Sequence, residues 1–212
     1  EVIGFGAFED SNLSSVVFPS GINITTLGYR AFFNADGLNS IVVPSSVVSI
    51  DYYAFAYCDN LKVVEFEEGS QLTGVYEGVF YGCTSLSSLI LPISVREISD
   101  FAFYGCHKLK SIPILDGTEL LEIGAYSFAY ADIDNLILPS SIVAIGDYAF
   151  VSNKLKEVSI FVDDPQELLL GFAIFADNDL EYLELPFLGS YLGDEFWLGY
   201  VFGAGDPKSN TK

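Results

Sequence analysis

The chain has no methionine, one tryptophan, one histidine and three cysteines, and its nine Lys and Arg face 29 Asp and Glu. With one imidazole, most acid–base and metal chemistry near neutral pH is out of reach. His107, in a turn beside Lys108, would need a third group to orient it in a Ser–His–Asp or Cys–His relay. It reads as a surface turn residue, and the chain as a non-enzyme with no cofactor. Gly171, Gly189, Gly193 and Gly199 lack the spacing of phosphate-cradling loops. No apolar run approaches the roughly 18 residues needed to cross a bilayer, so direct membrane insertion is not expected. The formal net charge of −20 repels phosphate backbones and anionic lipid, which excludes nucleic acid and favours basic partners or cations. The same charge also keeps a chain that is 50% hydrophobic in solution.

Self-similarity organises the rest. Segments beginning at Leu13, Leu38, Leu61, Leu86, Leu109, Ile133, Leu155 and Leu180 carry apolar residues three and five places on, and their starts lie 22 to 25 residues apart. Each unit runs L-x-x-[VIL]-x-[FVIL], usually then Pro, later an apolar residue often followed by Gly, two variable residues and a small-aromatic pair. Leu38, Ile41, Val43-Pro44, Ile50 and Ala54-Phe55 form one example. The alternating part predicts a short strand with one face inward, and Pro ends it because it supplies no ladder N–H. One unit cannot bury its single apolar face, but stacked copies can. The aromatic position predicts a spine through Phe32, Phe55, Phe80, Phe103, Phe128, Phe150 and Phe175 to Trp197.

Ile3-Gly4 and Ala7-Phe8 match the second half of a unit, so the chain reads as entering mid-repeat, a trimmed piece of something longer. One domain is expected over 1–202, with a loose tail over 203–212. Asn12-Leu13-Ser14 and Asn23-Ile24-Thr25 are acceptor sequons, which makes Asn12 and Asn23 candidate glycosylation sites.

The units resemble BspA-like, or Treponema pallidum type, leucine-rich repeats, whose signature is close to L-x-x-[IV]-x-[IL]-P-x-x-[IV]-x-x-I-G-x-x-A-F-x-x-C. Ile98 with Ala102-Phe103 and Cys106, and Ile145-Gly146 with Ala149-Phe150, carry the match. The resemblance implies an α/β solenoid of about eight coils with a parallel β-sheet on one face. It further implies an extracellular or cell-surface adhesion or recognition module that binds a protein ligand, with no catalytic residue to carry over. A structural spacer contacting neighbouring chains of an assembly is the alternative. Ile174-Phe175 and Phe196-Trp197 depart from the Ala-Phe pattern.

Cys58, Cys83 and Cys106 recur at the repeat length, and Ala35 and Ala131 fill the same place elsewhere. A Cys-or-Ala column reads as inert core thiols, with a disulfide between coils or a metal site as lesser readings.

Repeat length varies on one edge only, just after the strand and in alternate coils. The longer loops hold Glu67, Glu68, Asp116, Glu119, Asp163, Asp164 and Glu167 and no Lys or Arg. Gly21, Gly69 and Gly117 share one place in them, which predicts a turn with positive φ. Insertions on one face mark a candidate binding face, and the carboxylates predict an acidic ridge; loops are polar in any case, and both readings stand. Calcium would suit such oxygens, but no loop signature converges them, so it is disfavoured. The outward strand column Val17, Val42, Glu65, Ile90, Pro113, Ile137, Ser159 and Glu184, bordered by Tyr182, is the second candidate surface. Its β-branched residues read equally as strand formers or as a protein-contact stripe.

Overall fold

Five of the eight period-two segments form strands, in the parallel ladders β3 (Ser40–Val43), β5 (Val63–Phe66) and β7 (Ser88–Leu89), and β11 (Glu157–Ser159) and β13 (Tyr182–Glu184), while those beginning at Leu13, Leu109 and Ile133 form none. The apolar-Gly positions form a second column. It comprises β1 (Val2–Ile3), β2 (Thr26–Leu27), β4 (Ser49–Ile50), β6 (Gly74–Val75), β8 (Glu97–Ile98), β9 (Glu122–Ile123), β10 (Ala144–Ile145) and β12 (Leu169–Leu170). The computed structural model describes residues 1–19, 21–114, 117–164, 167–186 and 202–203. The strands from β1 to β12 in the second column are separated by seven turns, so the described residues make a parallel-strand β-solenoid of about seven turns. The second half of the eighth unit and the expected end of the spine at Trp197 lie outside the described residues, as does the expected tail apart from Gly203.

The α/β label does not hold: the described residues contain no helix. The segment around each small-aromatic pair is a run of turns, because residues four apart take left-handed backbone, as at Tyr53 (φ 57°) and Tyr57 (φ 60°). A right-handed helix cannot pass through such residues. Their N–H groups are used across coils instead. Tyr53, Phe55 and Tyr57 donate forward to the carbonyls of Glu77, Val79 and Tyr81, at 3.1, 2.9 and 2.7 Å. On the strand columns donation also runs backwards, with Asp51 N–H donating to Leu27 O (2.8 Å) and Glu67 N–H to Val43 O (3.0 Å). Each coil is thus stitched to both neighbours by backbone, which satisfies polar groups that a thin stack would otherwise bury unpaired.

The spine forms as the sequence predicts. Ring centroids of Phe8, Phe32, Phe55, Phe80, Phe103, Phe128, Phe150 and Phe175 follow one another at 5.1 to 6.0 Å, with planes within 18° of parallel. Each ring is worth about 2–3 kcal/mol of burial, before ordering entropy is subtracted.

The thiols of Cys58, Cys83 and Cys106 are free and buried in one column. Each donates to a spine carbonyl of the preceding coil, Phe32, Phe55 and Phe80 respectively. The column also contains Asn153 and Asn178, whose amides donate to Phe128 O and Phe150 O, both at 2.8 Å. The position selects a small buried group, and where that group is Cys or Asn it donates backwards; Ala35 and Ala131 fill the same place without donating. Burial pushes the Cys58 thiol up to about 12 and raises the other two as well.

Candidate partner-binding surface

The edge loops turn as predicted: Gly21, Gly69 and Gly117 have φ of 85°, 84° and 82°. Glycine takes this backbone without a Cβ penalty, so each loop reverses within a few residues and keeps its polar side chains at the rim. Glu67, Glu68, Glu119, Asp163, Asp164 and Glu167 are all exposed there, and Asp116 lies outside the described residues.

The ridge is less uniformly negative than the loops alone imply. Glu119 pairs with Arg96 of the preceding coil at 3.0 Å. The Glu67 carboxylate accepts from the Ser45 N–H (2.9 Å) and hydroxyl (3.3 Å), tying two coils together. Glu68 makes no hydrogen bond or ion pair among the described residues and points its full charge to solvent.

The strand face is interrupted, not continuous. Val42 stands in register beside Glu65, and Ile90 occupies the same column one coil on. Pro113, the next member, is buried, contrary to its expected outward position. Lacking an N–H, it cannot donate backwards as its counterparts do. Leu91 N–H still donates forward to Pro113 O at 2.7 Å, as Ile160 N–H does to Glu184 O at 2.9 Å, but the Ile114 N–H folds back onto Ile112 O at 2.9 Å. The first strand column therefore breaks after β7 and resumes at the bridge between Leu136 and Val158.

The break isolates Ile137, 70% exposed, from Ile90. Ile137 lies beside a hollow of about 400 Å³ lined also by Ser111, Ile112, Asn135 and Pro139. Farther along, Ser159 and Tyr182 both donate to Glu184, at 3.4 and 3.0 Å, and this raises the Tyr182 phenol above its ordinary value. Asn12 and Asn23 are exposed.

Both candidate surfaces meet in one place. A hollow of about 890 Å³ is lined by Glu65 and Ile90 of the strand face, Glu67 and Glu68 of the edge loop, and Ile93 with Ser94 of the following turn. Ile90 and Ile93 are 58% and 56% exposed, so apolar and acidic groups adjoin. Sequence reasoning missed Ile93 and the exposed Phe161, although an apolar residue just past the strand's end, outside the repeat pattern, was a usable signal. Among the described residues no three His, Cys, Asp or Glu side chains are grouped to hold a metal ion. No helix there is long and apolar enough to cross a membrane.

Known proteins share this architecture. A leucine-rich cell-surface protein of Faecalibacterium prausnitzii aligns at 25% identity over 80% of this chain and 47% of its own, with a TM-score of 0.63. The leucine-rich-repeat protein of T. pallidum aligns at 23% identity over 79% of this chain and 77% of its own, with a TM-score of 0.61. The pneumococcal vaccine antigen PcpA aligns at 21% identity over 86% and 59%, with a TM-score of 0.55. This chain therefore spans about half the length of the F. prausnitzii protein. No curated protein sequence matches it. The profile of the BspA type leucine-rich repeat region matches residues 1–77 and 73–197, in six copies, and the chain belongs to that family.

Proposed function

We propose that the chain is a non-enzymatic recognition module, secreted or displayed at the cell surface, that binds a protein partner where its strand face meets its acidic edge. The observation that carries this reading is the hollow in which Glu65, Glu67, Glu68, Ile90 and Ile93 converge. Exposed apolar side chains rimmed by charge are the composition of a protein contact. Val42 would extend the footprint along the strand face. Asp116, Glu119, Asp163, Asp164 and Glu167 would extend it along the edge, while Ile137, Tyr182 and Glu184 would form a separate outer contact beyond the Pro113 break. The cell-surface character of the F. prausnitzii relative supports the localisation, and the exposed Asn12 and Asn23 would then be available to glycosylation.

The test is solid-phase binding of the wild-type chain to a panel of purified extracellular-matrix proteins, repeated with Glu68→Lys and Ile90→Asp. The expected result is saturable binding to at least one protein, weakened about 5- to 30-fold by each substitution and reduced by salt, as about 1–2 kcal/mol per contact residue implies. Binding that both variants leave unchanged would remove this surface from the account.

A further inference from the structure

A second surface lies on the flank formed by β6, β8, β9, β10 and β12, where a trough of about 770 Å³ runs across the coils. Its floor is backbone. A Cβ at Gly124, Gly146 or Gly171 would run into the backbone of Asp100, Ala125 or Asp147 in the coil before, so close coil packing keeps these three positions bare, and only Ser99 of this column carries a side chain in the trough. One wall is the in-register row Glu97, Glu122, Ala144 and Leu169. Glu77, Asp100 and Asp147 stand on the other.

The lining contains these five carboxylates and no Lys, Arg or His. None is neutralised within it. Asp100 and Asp147 each spend one oxygen on a backbone N–H of the next coil, Ala125 and Phe172, both at 2.7 Å. Glu77 accepts from the Tyr53 phenol (2.6 Å) and Glu97 from the Ser99 hydroxyl. The Glu122 carboxylate has no hydrogen-bond or ion-pair partner among the described residues, and the Arg96 side chain pairs with Glu119 instead. Glu97 and Glu122 stand directly beside each other on adjacent parallel strands, about 4.8 Å apart. Like charges so placed destabilise a sheet.

We infer that this trough is a docking site for an extended, Lys- or Arg-bearing segment of a partner protein. The charge fixes the sign, and the shape fixes the form. Five strands at about 4.8 Å span about 19 Å, the length of roughly six extended residues. A floor that is bare at Gly124, Gly146 and Gly171 admits a peptide backbone, and cationic arms reach either wall. Tyr52, half-exposed at one mouth, offers a ring face to a cation, and Leu169, 60% exposed at the other, offers an apolar contact. A divalent cation would need six or more converging oxygens, whereas here the carboxylates face each other across bare backbone. This inference is independent of the strand-face reading, since the two surfaces share no residue.

The probe is fluorescein-labelled hexalysine, followed by fluorescence anisotropy. Glu97→Gln/Glu122→Gln is expected to weaken its binding at least tenfold. Glu157→Gln/Glu181→Gln, the same charge change on β11 and just before β13, is expected to change it less than twofold. Thermal unfolding gives the second readout. The trough variant should melt higher than wild type because the repulsion is gone, and hexalysine should raise the melting temperature of wild type but not of that variant. Equal weakening by the two pairs would show attraction to overall charge alone and overturn the proposal, as would absence of binding. Displacement of the peptide by 1 mM CaCl2, with the same melting shift from calcium alone, would reassign the trough to a cation and overturn it too.

Discussion

The Cys83 thiol donates to the carbonyl oxygen of Phe55 across 3.0 Å, one coil back along the stack. Cys58 and Cys106 make the same contact in their own coils. Burial holds all three thiols protonated far above neutral pH, and the thiolate is the reactive species. In native protein at pH 8, a thiol reagent such as Ellman's should therefore label well under about 0.1 equivalent in an hour. After denaturation it should label all three cysteines. Prompt labelling of any one of them in the folded chain would contradict this packing.

Ser127 occupies the small position before Phe128, where Ala31, Ala54, Ala102 and Ala149 stand in other coils. Its hydroxyl is fully buried and has no hydrogen-bond partner. An unpaired buried hydroxyl costs about 1–3 kcal/mol. Ser127→Ala should accordingly raise the urea midpoint, by about 1 kcal/mol of stability with unchanged slope.

At Pro113 the first strand column loses its ladder because a donor is missing. Pro113→Val restores an N–H and a strand-forming side chain. The expected outcome is slowed amide exchange at residues 112–114 and a gain of about 0.5–1.5 kcal/mol, one hydrogen bond's net worth. Unprotected amides there would mean that the break has another cause.

Asp132 bridges Lys154 at 2.7 Å and Lys110 at 3.2 Å, three coils held by one carboxylate. The Lys154 hydrogen bond is the largest influence on its carboxyl, burial opposes it, and with the help of Lys110 the carboxyl is held below the ordinary 3.8. A depressed folded-state value means that this stabilisation is complete above about pH 4–5 and fades as pH falls through the folded-state value. The pair is partly exposed, so its worth is at most about 1 kcal/mol. Asp132→Asn should flatten the acid limb of a stability-against-pH curve and leave a smaller difference from wild type at low pH than at pH 7.

Much of this was legible in the chain itself. Repeats of 22 to 25 residues with one alternating segment each imply stacking, because a single unit has nowhere else to bury its apolar face. The Phe spine and the left-handed glycines at positions 21, 69 and 117 follow from that register. The turn-rich back face did not, since residues such as Tyr53 and Tyr57 carry no sequence mark of positive φ. Their backbone is set by N–H groups reaching the next coil.

The sequence by itself determined the period, the core and the edge that carries the insertions, because burial of a repeated apolar pattern is a local requirement copied in every coil. Only the tertiary structure decided which charges remain unpaired. Whether Glu119 meets Arg96, or Glu122 meets only Glu97, depends on cross-coil register and on which way each side chain leaves the stack. Residues about 25 positions apart come within one strand spacing there, and electrostatic interaction is decided at that distance.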